Sequence, residues 1–352
     1  MAFLSPVPQL ELAPGFSISR IIKGGWQLSQ GHRTGLKADP VQDMIRFAEA
    51  GITTFDCADI YTGVEELIGR FLKAYKAKHG NTNGIRVLTK YVPDYDALAT
   101  LDKRYTERII DRSLRRLGVE QLDMVQFSWW SYDVPRYVEA AQHLCDLQLA
   151  GKINLISGTN FNTRTTRELI EAGIPIKTIQ VQYSPLDNRP DRGLTQLCEE
   201  NGMHLLCYGT VAGGFLSDRW LHQPEPQPPY ANRSLVKYKL MIEEAGGWDK
   251  FQHLLQTLHT IATGHGVSIT NVVTAWLLSR PATGALIIGA ATSDHLSSNL
   301  AGLHLQLTES EKQLIQSLAT GPAGDPFDVE RIKDGPHGSI MRYNLNQLAE
   351  DN

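Results

Sequence analysis

Val41-Gln42-Asp43-Met44-Ile45-Arg46-Phe47-Ala48-Glu49-Ala50-Gly51-Ile52-Thr53-Thr54-Phe55-Asp56-Cys57 contains one complete helix-to-strand passage. Apolar residues at three-to-four spacing from Val41 to Ala50 predict an amphipathic helix, and Gly51 stands where a left-handed cap would end it. The apolar run beginning near Thr53 predicts a strand. Outward from this unit the alternation continues. Strand-like runs begin near Arg20, Thr53, Arg86, Leu122, Ile153, Thr178 and His204, with a later one at Ala285-Leu286-Ile287-Ile288. Helical patterns lie between them, from Tyr105 to Leu117 and more loosely from Arg192 to Glu200 and Phe251 to Ala262; Gly151 repeats the role of Gly51. Eight strand–helix units predict an α/β fold, a (β/α)8 TIM barrel. The expected organisation is a single domain over residues 1–352, with a core from about 18 to 318 and a tail from 319 to 352.

One interval breaks the rhythm. Between strands 7 and 8, residues 212 to 247 hold Gly213-Gly214 and the proline-rich Gln223-Pro224-Glu225-Pro226-Gln227-Pro228-Pro229. A long loop is expected there, either a lid or binding loop or a passive insertion. The tail, with Gly321-Pro322 and Gly324-Asp325-Pro326, is expected over or beside the barrel, closing its mouth or strapping its side. The rival fold, an open doubly wound sheet, needs Gly-x-Gly-x-x-Gly straight after a strand. Its nearest match, Gly264-His265-Gly266, lacks the third glycine and follows a helical pattern.

The 34 basic and 38 acidic residues nearly cancel, which leaves no global field for nucleic acid or an anionic membrane. No apolar run approaches the roughly 20 residues that span a bilayer. Met1-Ala2-Phe3-Leu4-Ser5-Pro6 lacks the basic and apolar regions of a signal peptide. Cys57, Cys145, Cys198 and Cys207 lie in apolar contexts without metal-like spacing. They read as buried thiols in a reducing compartment, so a cytoplasmic location and no metal are expected.

Residues at the C-terminal ends of barrel strands face one common site. Asp56 ends strand 2, Tyr61 follows in the loop Cys57-Ala58-Asp59-Ile60-Tyr61-Thr62-Gly63, Lys90 ends strand 3 and Ser128 ends strand 4. An acid, a phenol and an amine brought together this way are expected to lower the tyrosine pKa. Such a tyrosine can hand a proton to a carbonyl oxygen. The bland alternatives are Tyr61 as amphipathic packing, Asp59 as a helix cap and Lys90 as a snorkelling lysine.

This constellation resembles the aldo-keto reductase family over about Ile21 to Ile315. The resemblance implies an NAD(P)H-dependent oxidoreductase that reduces aldehydes or ketones to alcohols, with Asp56, Tyr61, Lys90 and Ser128 at the catalytic positions and Tyr61 as general acid. The family's fourth member is a histidine; here it is Ser128, and no His lies between His79 and His143. A serine hydroxyl is shorter, so it would act through water or on a displaced substrate. Losing one such donor typically costs about 10²–10³ in kcat. The resemblance therefore also allows a weakened NADP(H)-binding pseudoenzyme with a regulatory or redox-sensing role.

On the cofactor side it implies Gly25, Trp26 and Asp56, then Thr159 and Asn160 in Thr159-Asn160-Phe161, and Gln180 on the nicotinamide carboxamide. Tyr208 would stack on the nicotinamide ring, followed by Gly209, Thr210, Val211 and Gly213. At the adenosine end it implies Gly289, His295 and Asn299. The resemblance implies NADP(H); relatives place a basic residue near Gly289 or an arginine at the position of His295, and this chain has neither, which weakens the NADP(H) preference and allows NAD(H). Trp26, Trp129 and Trp130 are expected substrate-pocket walls, although strand alternation favours ordinary packing for Trp129. His32 and Arg33 could meet an anionic substrate group. The expected partner is a small-molecule carbonyl substrate, and the oligomeric state is left open.

Overall fold

Side-chain alternation along each strand decides what the barrel holds inside and what it turns towards its helices. A computed structural model of the chain describes residues 6–29, 39–230, 232–290, 292–293 and 296–348. Two strands, β1 (Gln9–Ala13) and β2 (Phe16–Ser19), pair as an antiparallel hairpin. Eight more form a closed parallel barrel in chain order: β3 (Ile21–Gly24), β4 (Thr54–Asp56), β5 (Arg86–Tyr91), β6 (Leu122–Phe127), β7 (Ile153–Thr159), β8 (Ile176–Gln182), β9 (His204–Tyr208) and β10 (Thr283–Ile288). The ring closes where Leu286, Ile287 and Ile288 of β10 meet Ile21, Ile22 and Lys23 of β3. The predicted barrel is thus present, strand for strand.

Helices α1 (Pro40–Glu49), α2 (Val64–His79), α3 (Lys103–Leu117), α4 (Tyr137–Leu149), α5 (Thr163–Glu171) and α6 (Leu194–Glu200) each follow one strand from β3 to β8. The first shows the local logic. Pro40 fits an N-terminal turn, the Asp39 carboxylate accepts from Val41 N at 2.9 Å, and Gly51 adopts φ 92° just beyond the end. Met44, Ile45, Phe47 and Ala48 are buried on its inner face. Burial of each large apolar side chain contributes about 1.5–3 kcal/mol.

Inside the barrel the layers differ by depth. Ile22, Leu88, Met124, Leu155, Leu206, Ala285 and Ile287 form an apolar floor with Phe16 and Ile18 of the hairpin. The hairpin therefore plugs the N-terminal end, an element absent from the sequence expectations. One inward step further up, the layer turns polar: Asp56, Lys90, Gln126, Gln180 and Tyr208.

The interval between β9 and β10 differs from the long loop expected. Helix α7 (Arg233–Glu244) lies within residues 212–247, followed by α8 (Trp248–His265) and α9 (Ile269–Leu278). Asn232 caps α7 by accepting from Leu235 N at 3.0 Å, and Tyr238, Met241 and Ile242 are buried along it. The prolines just before it dominate the local composition and mask this periodic stretch. Gly266 ends α8 with φ 66°, a helix cap rather than part of a dinucleotide loop. Helices α10 (Leu296–Ala301) and α11 (Glu309–Leu318) follow β10.

The tail, with α12 (Asp328–Arg331) and α13 (Leu345–Leu348), crosses the C-terminal end of the barrel, contacting loop after loop. Thr163 N donates to Asp325 Oδ2 at 2.6 Å, Tyr95 N to Tyr343 O at 2.8 Å, and Asn346 Nδ2 to Asp59 Oδ2 at 3.0 Å. Arg189 donates to both oxygens of Glu330, at 2.9 and 2.8 Å, in a fully buried ion pair. Among the described residues no helix is long and apolar enough to cross a membrane.

Candidate active site

Asp56 is the centre of the polar layer. Lys90 Nζ donates to both Asp56 oxygens at 2.8 Å and to Cys57 O at 2.8 Å, which uses all three ammonium hydrogens. Gln126 Nε2 donates to Asp56 Oδ1 at 2.8 Å; Gln180 Nε2 donates to the same oxygen at 2.6 Å and to Gln126 Oε1 at 2.8 Å. Asp56 and Lys90 are both buried. A buried pair tolerates its desolvation only when its remaining hydrogen-bonding capacity is met, and here β5, β6 and β8 meet it together. Gly25 lets the chain leaving β3 pass close above: a Cβ there would stand 2.6 Å from Asp56 O.

Tyr61 lies half-buried in the loop after β4, with Lys90 Nζ 5.1 Å from its ring centroid. Asp59 in the same loop accepts from Ile60 N, Val92 N and Asn346; it does not cap α2, whose N-cap is Gly63. Burial pushes the Tyr61 phenol up from its ordinary value, with Lys90 acting against it and Asp56 and Cys57 with it. The lowering expected from sequence is overturned. Lys90 is already neutralised by Asp56, so its pull on a phenolate is weaker than the cost of desolvating that phenolate. Burial also disfavours the Lys90 ammonium, yet Asp56 and Tyr61 outweigh it and raise its pKa. Ser128, buried one position past β6, donates its backbone N–H to Tyr91 O at 3.0 Å.

The expected nicotinamide-side residues occupy neighbouring strand ends. Thr159 is buried, and its Oγ1 donates to Gln180 O at 3.3 Å. Asn160 takes φ 59° and accepts from the Tyr208 hydroxyl at 2.9 Å through Oδ1. Arg331 of α12 donates to the carbonyls of Asn160 and Trp129, which stitches the tail to the loops after β6 and β7. Both amide hydrogens of Gln180 are committed to Asp56 and Gln126, so it presents only its oxygen to a carboxamide. Gln182, level with Tyr208 in the β8–β9 register, has a buried Oε1 with no hydrogen-bond partner among the described residues. A carboxamide N–H would satisfy that acceptor, and the Tyr208 ring offers a planar surface beside it, so the residues present fit a nicotinamide.

Gly209, Thr210, Val211 and Gly213 leave β9 in a tight turn, with Gly209 at φ 65° and Gly213 at φ 63°. Helix α7 packs on this turn: the Tyr238 hydroxyl stands where a Gly209 Cβ would be, and its ring lies 2.6 Å from a Cβ at Gly213. Gly289 is exposed beside the Gln27 side chain. Asn299 lies on α10, but its side chain, and His295, His32 and Arg33 entirely, fall outside the described residues.

The tryptophans divide. Trp129 is buried in the outer core against Phe127 and Tyr137, with Nε1 donating to Val134 O at 2.9 Å. It is not a pocket wall, because strand alternation turns it away from the barrel axis. Trp130 stays half-buried and meets Tyr343 of the tail edge-on at 5.0 Å. Trp26 is half-buried in the turn after β3. Sequence reasoning missed Gln126, though alternation two residues before Ser128 places it inside, and it missed Arg331 and α7 altogether.

Comparison with known proteins agrees with this geometry. The family model described as Aldo/keto reductase family matches residues 20–320. An NADP(+) aldo-keto reductase of Schizosaccharomyces pombe is 27% identical over 75% of this chain and 77% of its own length. An NADH-specific methylglyoxal reductase of Escherichia coli is 23% identical over 86% of this chain and 95% of its own. The crystal structure of a thermostable aldo-keto reductase in complex with the inhibitor epalrestat superimposes with a TM-score of 0.67 and 25% identity, covering 88% of this chain and 99% of that one.

Proposed function

The chain belongs to the aldo/keto reductase family, and on that premise we propose that it reduces aldehydes or ketones with a nicotinamide dinucleotide, Tyr61 serving as general acid. The observation that carries this reading is the Asp56–Lys90 pair, closed on itself and set 5.1 Å beneath the Tyr61 ring. A bound dihydronicotinamide supplies the hydride to the carbonyl carbon. Tyr61 gives its proton to the carbonyl oxygen as negative charge develops there. Lys90, held charged by Asp56, offsets the phenolate left behind. Tyr208, with its hydroxyl fixed on Asn160, would hold the nicotinamide ring. The substrate is a small carbonyl compound. NADP(H) is the first cofactor to test; NAD(H) is the second, because residues 289–293 contain no basic side chain to meet a 2′-phosphate. Four buried free thiols suit a reducing, cytoplasmic setting.

Ser128 favours a second reading, a protein that holds the dinucleotide but turns over slowly in a regulatory or redox-sensing role. The test is the rate of NADPH and NADH oxidation against aromatic and aliphatic aldehydes, with wild type, Ser128→His and Tyr61→Phe side by side. Wild-type turnover that Tyr61→Phe abolishes supports the reductase. Dinucleotide binding with a silent wild type, and a gain of about 10²–10³ in Ser128→His, supports the second reading. Full activity in Tyr61→Phe overturns the mechanism.

A further inference from the structure

Helix α7 carries a buried cation that the reduction scheme does not use. Lys237 is 8% exposed. Its Nζ lies 4.9 Å from the Tyr208 ring centroid and 5.4 Å from that of Tyr238, and among the described residues it has no hydrogen-bond acceptor or ion-pair partner. An ammonium has three donors, and aromatic faces offset its charge without satisfying them. The opposing charges that reach it are Glu330 and Asp187, which act through space against the burial that lowers its pKa. Both carboxylates are turned towards Arg189 instead. Arg189 bonds both oxygens of Asp187 and both of Glu330, and Gln182 donates to Asp187 as well. Those three groups carry one net negative charge, so Lys237 is balanced at long range and unmet at contact.

Its placement is built rather than incidental. Gly209 and Gly213 leave room for Tyr238, and that close approach of α7 brings the preceding residue, Lys237, over Tyr208. Tyr208 in turn is bonded to Asn160. The ammonium therefore sits at the mouth of the barrel beside the residues that would receive the nicotinamide.

We propose that Lys237 anchors an oxyanion of the bound ligand, supplied either by the diphosphate of the dinucleotide or by a carboxylate or phosphate on the carbonyl substrate. The proposal rests on the nicotinamide-dependent reading above. A charge-assisted contact of this kind is the interaction a desolvated, donor-rich ammonium lacks.

The test uses the full chain with Lys237→Met, which keeps the stem and removes the charge, and with Lys237→Arg. The two readouts are dissociation constants for NADPH and NADH from nicotinamide fluorescence, and KM for two aldehydes alike except for one carboxylate. If the diphosphate is the partner, both dinucleotides bind about 10–100-fold more weakly to Lys237→Met and recover in Lys237→Arg, while the ratio of the two KM values is unchanged. If the substrate anion is the partner, dinucleotide affinity holds and KM rises about 10-fold or more for the carboxylated aldehyde alone. Unchanged values on both readouts overturn the proposal. Wild-type titration answers separately for the parent reading, since failure to bind either dinucleotide would sink that one first. Lys237→Gln replaces the Met variant if its melting temperature shows that it does not fold.

Discussion

The Tyr61 phenol is held in its protonated form, which suits the general-acid role proposed for it. Burial holds its pKa above the ordinary tyrosine value of about 10, so the phenol stays protonated through the neutral range. Reductive kcat is therefore expected to be flat across neutral pH and to fall only as pH rises through that elevated pKa. Tyr61→Phe is expected to remove about 10²–10⁴ of the rate across neutral pH and to lose the alkaline fall; a pH–rate profile of both proteins checks this. Lys23 makes a separate case. It is buried on β3 with one hydrogen bond among the described residues, to Gly24 O at 2.6 Å, and burial lowers its pKa from 10.5 to about 8, with Asp43 opposing. Between those values the unfolded chain binds the proton more tightly than the folded one, so stability rises with pH from about 8 towards 10.5. Below that window the ammonium costs about 3 kcal/mol. Lys23→Met is expected to be more stable at pH 7 by up to that amount and to lose the pH dependence, as urea unfolding at several pH values would show. The acid, phenol and amine were legible in the sequence because each follows an apolar run. Gln126 was not, since a lone glutamine within Leu122–Phe127 carries no marker of its role. The sign of the Tyr61 shift was hidden too, because it depends on how completely Asp56 cancels Lys90.

Short elements carry more of the mouth than their length suggests. Helix α12 contributes Glu330 to Arg189 and Arg331 to the loops after β6 and β7. Arg189 is fully buried and bonded to two carboxylates, so Glu330→Ala strands part of a buried guanidinium. A loss of about 3–5 kcal/mol in unfolding free energy is expected, measured by urea titration at constant pH. A change below about 1 kcal/mol would mean that α12 is not held by this pair. Amphipathic helices such as α1 and α3 were readable from their period. Helix α7 and the four residues of α12 were not: one follows a proline-rich stretch that hides its period, and the other is held by contacts with residues far away in sequence.

Across the whole molecule, the barrel is closed at one end and strapped at the other. The β1–β2 hairpin supplies Phe16 and Ile18 to the floor, and the tail spans the loops at the mouth. Phe16→Ala is expected to cost about 3–5 kcal/mol, seen as a lower melting temperature with the site contacts intact; an unchanged melting temperature would show that the hairpin is a bystander. The eight-strand order was legible because every barrel strand is an apolar run followed by a helical period. The hairpin was not, because its strands of five and four residues precede that rhythm.

Closure of the ring through β10 and β3 has a consequence for synthesis. Lys23 meets Phe55 of β4 early, but the other edge of residues 21–23 finds its partners only when residues 286–288 have been made. Until then a growing chain carries an open sheet with two unsatisfied edges, and its first stave waits for its last. Domains of this size commonly pass through partly collapsed states that aggregate. The nascent protein is thus most exposed to misassociation late in translation, and a pause just before residue 283 would hold it there.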